Sequence, residues 1–582
     1  MKNKKIVYLS FLLIVAVISF TACKKFLNPS LKGVYSSDQL NNKKGVQGML
    51  INAYATLDGP AGTFHTGASN WAWGSITGGD AYKGTEITDG TDITPIMRFE
   101  LGPNSNGDLF GKWSASYDGV GQANQVIRTV AVVADMTDAE KKQAIAEARF
   151  LRGHHHFEAK KMWKNVPYID ENETDGRLVN TTDIWPKIEA DFLFAYNNLD
   201  EVKPYKGSVN KWAAACFLAK AYMFEKKFAE AKALFTTIIA SGKNSQGVKY
   251  ALMPNYQDNF RVSKENNAET VFSIQASYGD GSTTNANYDN ILNYPHGGGS
   301  KPGGCCGFFQ PSQSFVNSFR TDGAGLPMPA TFNATNVTSD EAFLSSQSGF
   351  VPYAGNLDPR LDFTVGRRAV PYHDWGTEPG RDWVRDVTYG GPYCPKKNTY
   401  FKSEDGSTAG KVGWGFSANA LNYTVMRYAD VLLMAAEAEI EVGSLATAQT
   451  YINMVRARAG AYAPSNASPY AVAANDPSVT WGTYNVGLYG AFADQAAARV
   501  AVRFERKLEL GMEGHRFFDL VRWGLAGAEI NAYLTIEAVR RPSTLASTAF
   551  TVGKHEYFAI PTTAISTSIK DGAATLTQNP GY

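Results

Sequence analysis

Two stretches of this chain repeat one spacing of small and apolar residues, and that spacing restricts the fold to packed pairs of helices. In the first, Ala215, Leu218, Ala219 and Tyr222 are followed by Phe228, Ala231, Phe235 and Ile238; in the second, Leu432 and Ala436 are followed by Ala448, Ile452 and Val455. Steps of three and four residues put these side chains on one helical face. Ala219 and Ala231 in one stretch, and Ala436 and Ala448 in the other, stand twelve positions apart. Small residues there let two antiparallel helices approach closely, and such pairs stack because none can bury its apolar face alone. Weaker segments of the same kind run from Val46 to Leu57 and over Ile188, Phe192, Ala195 and Leu199. The pattern predicts a mainly α fold with its helical scaffold over about 36–258 and 421–540.

This tetratricopeptide-like spacing does not run the length of the chain. From 259 to 420 the sequence is rich in Gly, Asn, Pro, Ser and aromatic residues and has no sustained period, and a second irregular stretch spans Gly59 to Asn104. Long irregular segments inside a compact protein are functional or disordered, and embedded aromatics favour an ordered surface. The two stretches are expected to converge on one face of the scaffold. Their residue types suit a carbohydrate, whose C–H faces stack on aromatic rings and whose hydroxyls need fixed polar partners. Trp71, Trp73, Asp80 and Tyr82 are the early candidates; Tyr288, Tyr294, Trp375, Arg381 and Tyr400 are the later ones.

Cys305 and Cys306 are adjacent within a Gly-rich loop. In an oxidising envelope they can form a vicinal disulfide, a flat apolar platform beside a ligand; the alternative is a pair of free thiols, or one paired with Cys394. Cys216 falls on a helix core face. The run His154, His155 and His156 invites a metal reading, but consecutive helical residues diverge by about 100° and cannot converge on one ion. His154 and Glu158 are one turn apart, yet the second histidine of H-E-x-x-H is missing, so packing is the expected role and no metal or cofactor is assigned. No nucleophile elbow, phosphate loop or dinucleotide fingerprint stands in a convincing context, so no enzyme activity is assigned.

The densest charge pattern lies near the C-terminus, Glu505-Arg-Lys-Leu-Glu-Leu-Gly-Met-Glu-Gly-His-Arg-Phe-Phe-Asp-Leu-Val-Arg-Trp523. Ala501, Phe504, Leu508 and Met512 form one apolar helical face, and Glu505 and Glu509 stand one turn apart beside it. Gly514 breaks the run, and Phe517, Leu520 and Val521 restart an apolar face, with Arg516, Asp519 and Arg522 spaced so that opposite charges can meet. The segment reads as helix, turn and helix, with a structural role. It resembles the C-terminal hallmark of the SusD/RagB family of Bacteroidetes outer-membrane lipoproteins. Further landmarks support the resemblance along the chain: Glu147 to Phe157 with Lys164 to Tyr168, Gly307 to Phe319, Asp358 to Leu361, Arg427 to Leu433, Asn453 to Arg458 and the ending Gln578 to Tyr582. Phe558-Ala-Ile-Pro561 departs from the family's tail by carrying Ala559 in place of proline.

The N-terminus adds a compartment. Lys2, Lys4 and Lys5 precede an apolar run from Ile6 to Phe20 and the sequence Thr21-Ala-Cys23, the order of a lipoprotein signal peptide. Residues 1–22 are expected to be removed, leaving lipid-bearing Cys23 at the start of a single unit, 23–582. A formal net charge of +1 without a basic block argues against nucleic acid, and five cysteines are too few for a disulfide framework. The resemblance implies a non-enzymatic, lipid-anchored protein, exposed at the cell surface of the outer membrane, that captures an oligosaccharide and passes it to a TonB-dependent SusC-like transporter. A related branch handles peptides, and aromatic loops suit either ligand. Two readings from other classes are an all-helical glycoside hydrolase with paired carboxylates in the loops, and an envelope scaffold without a small-molecule ligand.

Overall fold

The structure, a computed structural model, describes residues 37–59, 64–105, 107–282, 284–297, 300–342, 349–412, 415–462 and 481–582. The leader and Cys23 lie outside them. The helices that build the scaffold are α1 (Lys43–Ala55), α2 (Gly107–Val132), α3 (Asp138–Trp163), α4 (Trp185–Asn198), α5 (Lys211–Phe224), α6 (Phe228–Ser241), α7 (Tyr428–Val442), α8 (Leu445–Ala461), α9 (Gln495–Leu510), α10 (Arg516–Arg522) and α11 (Ala526–Arg540). From α2 to α8 each packs on the next, and α9 packs on α7 and α8. The two repeat units are α5 with α6 and α7 with α8, and Ala219, Ala231, Ala436 and Ala448 are all fully buried. The weaker segments form α1 and α4. Helix starts follow local chemistry: the Thr137 and Glu140 capping box opens α3, while Asn210, Ser444 and Asp494 side chains accept backbone N–H bonds at the starts of α5, α8 and α9. Among the described residues no helix is long and apolar enough to cross a membrane.

The irregular segment is inserted between α6 and α7, yet those two helices pack directly on each other. Its neck is a two-stranded antiparallel ribbon. At the end of the insertion lie β2 (Ala409–Val412), β3 (Phe416–Asn419) and β4 (Tyr423–Arg427); strand β1 (Thr270–Ile274) pairs with β4 in the register Ser273 to Thr424 and Ile274 to Tyr423, and β2 pairs with β3. The segment thus leaves and re-enters the helix stack at one point.

Buried charge locks this neck to the scaffold. Glu505 and Glu509 of α9 have no exposed surface. Arg360 reaches Glu505 at 2.7 Å, Glu509 at 2.8 Å and Asp358 at 2.7 Å. Arg456 reaches Glu505 at 2.8 Å, Arg458 reaches Glu269 at 2.9 Å, and Arg427 reaches Glu269 at 2.8 Å and Glu513 at 2.9 Å. Arg427 and Arg458 also contact Glu509, and Lys397 contacts Glu513 at 2.8 Å. Arg360, Lys397, Arg427, Arg456 and Arg458 therefore face Asp358, Glu269, Glu505, Glu509 and Glu513, a charge-balanced set drawn from the insertion, its neck, α8 and the signature helix. Burial alone would raise the Glu509 pKa, but Arg458, Arg427 and Arg360 hold it well below the carboxylate range.

Two details differ from the sequence reading of this signature. Helix α9 ends at Leu510, before Gly514, because the chain turns at Gly511, where a Cβ would lie 2.4 Å from the Phe315 ring. Asp519 pairs with Arg506 at 2.9 Å and with Arg522 at 2.8 Å, whereas Arg516 faces away, 3.5 Å from Glu529 of α11. Other landmarks meet in pairs. Arg149, Arg152 and Tyr168 all bond to the buried Asp191 of α4, at 2.7 to 2.8 Å. Gln578 exchanges two 2.7 Å hydrogen bonds with the Ile560 backbone, and Asn579 donates to the carbonyls of Trp163 and Phe558.

Candidate functional site

The early irregular stretch begins as a short turn that fixes Phe64. Trp71 Nε1 donates to the Phe64 carbonyl at 2.9 Å, Trp73 Nε1 to that of His65 at 2.7 Å, and Lys112 Nζ to that of Thr66 at 3.1 Å. The buried Asp289 carboxylate accepts from the backbone N–H of Ser69 at 3.1 Å and of Gly67 at 3.3 Å, which draws this turn against the later stretch. Tyr288 is the neighbour of Asp289. Its ring stacks on Phe64 with centroids 5.4 Å apart and planes inclined by 18°, and Phe416 of β3 tilts onto the same Phe64 at 5.8 Å. All three rings are half-buried, so each keeps part of its surface toward solvent.

The cysteine loop borders this cluster. Cys305 and Cys306 are joined in a vicinal disulfide, while Cys216 and Cys394 are free and buried. Gly303 N donates to Tyr400 Oη and Gly304 N to Ser417 Oγ, both at 3.0 Å. A Cβ on Gly304 would lie 2.2 Å from the Gly415 carbonyl, so only glycine lets the loop rest against the residues that precede Phe416. Cys305 is half-buried and Cys306 buried. On the other side, Tyr288 lines a groove of about 1290 Å³ bounded by Ser273, Gln275, Asn285, Tyr205, Tyr54 and Ile51.

The sequence-predicted residues divide between this face and the core beneath it. Tyr288, Cys305, Trp375 and Arg381 keep exposed surface. Trp71, Trp73, Asp80, Tyr82, Tyr294, Cys306 and Tyr400 are buried. Trp73 packs edge-on against Phe558 at 5.1 Å, and Trp71 packs on Phe309 at 5.5 Å. Asp80 accepts from Met512 N at 3.0 Å, and burial raises its pKa. Tyr82 donates to Glu537 under the Arg541 guanidinium. Tyr294, Tyr400 and Trp375 do meet, with Tyr400 centroids 5.6 Å and 5.8 Å from the other two, and Trp375 Nε1 donates to the Tyr400 carbonyl. Arg381 is set apart, donating to the Glu341 carbonyl at 3.2 Å. Phe64 and Phe416 were not among the predicted residues; each is a single phenylalanine between polar or Gly-rich neighbours, without a sequence signal for which way it points.

The three histidines of α3 are buried packing residues. His156 stacks on Tyr168 at 4.4 Å and accepts from Ile169 N at 3.1 Å, and burial lowers the His154 pKa to about 4. Glu158 is engaged by Lys161 at 2.6 Å and Asn70 at 2.9 Å, leaving no pair with His154 for a metal.

A stack of helix pairs that carries a clamped, loop-built face is the architecture of a binding protein of the tetratricopeptide-scaffold type. The model of the SusD family matches residues 268–582, and a second model, described as starch-binding associating with outer membrane, matches residues 35–223. The chain belongs to the SusD/RagB family. SusD-like protein P25 of Formosa agariphila is 28% identical over 434 residues, covering 71% of this chain and 70% of that protein. Among solved structures, a SusD superfamily protein from Bacteroides vulgatus has a TM-score of 0.65 at 19% identity and covers 93% of this chain and 99% of its own. Surface glycan-binding protein A from Bacteroides thetaiotaomicron, in complex with laminarihexaose, has a TM-score of 0.64 at 21% identity, covering 92% of this chain and 99% of its own. These structural likenesses establish the shared fold.

Proposed function

We propose that this protein captures an oligosaccharide at the outer membrane without chemical conversion and passes it to a TonB-dependent SusC-like transporter, held at the cell surface by lipid on Cys23. The observation that carries the ligand class is the stacked Phe64 and Tyr288 pair, half-exposed beside Phe416 and the cysteine loop. Flat, partly solvated rings held by backbone hydrogen bonds suit the C–H faces of sugars and need little ordering on binding. The groove beyond Tyr288 gives an extended ligand room to continue. Trp375 and Arg381 lie further along the insertion as outer contacts. Trp71, Trp73, Asp80, Tyr82, Tyr294, Cys306 and Tyr400 serve this reading from beneath, by fixing the loops. Membership of the SusD/RagB family and the likeness to a protein solved with laminarihexaose support a glycan over other ligands.

Calorimetry on the protein from residue 24 onward tests this, with laminari-, malto-, cello- and xylo-oligosaccharides beside a set of short peptides. At least one glycan should bind, and the Phe64→Ala and Tyr288→Ala variants should weaken it. Binding of peptides alone would replace the glycan reading with the peptide one. Release of reducing sugar during the titration would overturn the non-enzymatic assignment. The transporter step is tested by co-purification of the lipidated protein with its TonB-dependent partner from outer membranes.

A further inference from the structure

Directly behind Phe64 stands a group of side chains that the aromatic face does not use. His65 is only 4% exposed, and its Nε2 lies 2.8 Å from Asp108 Oδ1 and 3.9 Å from Asp92 Oδ2. One ligand atom from each of the three residues can be chosen so that all lie within 4.8 Å of one another. The 2.8 Å contact is short enough for a charge-assisted hydrogen bond from the imidazole to Asp108, and the same spacing suits two ligands of one metal ion. With metal–nitrogen and metal–oxygen bonds of about 2.0 to 2.2 Å at angles between octahedral and tetrahedral, neighbouring ligand atoms sit about 2.9 to 3.4 Å apart. The two observed separations bracket that range.

The scaffold holds the group in place. Asp108 is in the first turn of α2, Asp92 is in the early irregular stretch, and His65 is anchored by the Trp73 Nε1 bond to its carbonyl. Trp71 and Trp73 flank the imidazole with centroids 6.2 Å and 6.4 Å away. Asp92 is 39% exposed, which opens the group to entering ions and to water as a further ligand. Burial, and then the facing Asp108 carboxylate, push the Asp92 pKa up to about 6, the cost of holding two carboxylates together.

We propose that His65, Asp92 and Asp108 bind one divalent transition-metal ion of the zinc type, and that the ion ties the turn bearing Phe64 to the start of α2. One imidazole with two carboxylates suits zinc and its first-row neighbours, whereas calcium takes six to eight oxygen ligands. The charges of the ion and the two carboxylates cancel. Phe64 is the residue next to His65, so the ion acts on the aromatic face through the backbone and not by touching the ligand.

Untagged protein stripped with a chelator and titrated with zinc chloride in a calorimeter should bind one ion per chain and melt at a higher temperature with zinc than without. Asp92→Asn, at a partly exposed position, should leave the circular dichroism spectrum unchanged and the zinc-free melting temperature no lower, while weakening zinc at least about ten-fold and abolishing the thermal shift. His65→Gln is the second variant and should do the same to zinc affinity. Cobalt added in place of zinc should give visible ligand-field absorption that disappears in Asp92→Asn. No zinc binding by the wild-type protein, or equal binding by both variants, would overturn the site; calcium binding there in preference to zinc would overturn the ion class. Glycan binding is not the readout, so failure of this site leaves the proposed function standing.

Discussion

Replacing Glu509 by alanine removes one carboxylate from contact with three buried guanidinium groups, those of Arg360, Arg427 and Arg458. The three cations keep Asp358, Glu505, Glu269 and Glu513 as partners, so the loss is less than three separate ion pairs. It still leaves one positive charge in excess where no water reaches, and breaking a buried pair from one side costs about 3 to 5 kcal/mol. For a chain of 582 residues unfolding as one unit, an entropy of about 2.1 cal/mol/K per residue converts this into a melting temperature lower by about 2.5 to 4 °C. Differential scanning calorimetry reads the shift, and Glu509→Gln, which keeps the volume but not the charge, should fall nearly as far. Arg516→Ala is the contrast within the same signature. The Arg516 side chain is itself only 10% exposed, but its partner Glu529 is 51% exposed and 3.5 Å away, so loss of this ion pair should cost no more than about 1 kcal/mol and the change as a whole less than Glu509→Ala. A melting temperature for Glu509→Ala within 1 °C of wild type, or an equal fall for Arg516→Ala, would refute the argument from burial. The effect should also depend on pH. Glu509 titrates below its unfolded value, so its contribution is complete above the ordinary glutamate range and fades as pH falls through the folded value; the gap between wild type and Glu509→Ala should narrow in acid.

Phe64→Ala and Tyr288→Ala should each weaken the best glycan by about 1 to 3 kcal/mol, roughly five- to two-hundred-fold, with unchanged far-ultraviolet circular dichroism. Trp73→Ala, which empties a fully buried site, should instead destabilise the fold by about 3 to 5 kcal/mol in urea denaturation. Gly514→Ala places a Cβ 2.1 Å from the Ser69 carbonyl at a residue with φ +77°, and should lower stability by more than about 1 kcal/mol by the same measurement. Cys23→Ser should shift the protein out of the outer-membrane fraction of cells that lack its transporter; unchanged fractionation would remove the anchor assignment.

Much of the scaffold was legible because helix packing writes itself into residue size and spacing. The alanines twelve positions apart mark where α5 meets α6 and α7 meets α8. The insertion was legible as a place but not in its interior. Aromatic residues in an irregular segment must do two things, seal a local core and meet a ligand, and composition does not separate them. Trp71, Trp73, Tyr82, Tyr294 and Tyr400 went to the core, while Phe64 and Phe416, which carried no pattern, reached the surface. The neck did leave a signal. Thr270 to Ile274 and Tyr423 to Arg427 are short β-branched and aromatic runs of matching length, and pairing them would have shown that the insertion closes on itself. His65, Asp92 and Asp108 left none, since two common acids distant in sequence from one histidine mean nothing until the fold brings them together.

The signature helix also explains how so long an insertion can present a fixed surface. An irregular segment joined to a scaffold only through its ends would lose conformational entropy on binding and weaken every contact it made. Here the carboxylates of Glu505, Glu509 and Glu513 on and just after α9 take their cations from three places at once: Arg360 and Lys397 within the insertion, Arg427 at its exit strand, and Arg456 and Arg458 on α8. Arg427 does two jobs, since its strand pairs with β1 while its guanidinium reaches Glu269 before β1 and Glu513 after α9. Charges of both signs are balanced inside a dry volume, so no member can leave without exposing an unpaired partner, and the arrangement favours one geometry over nearby alternatives. The density of charge in this stretch therefore serves the insertion as much as the helices. It clamps the insertion to α8 and α9 through fully buried ion pairs.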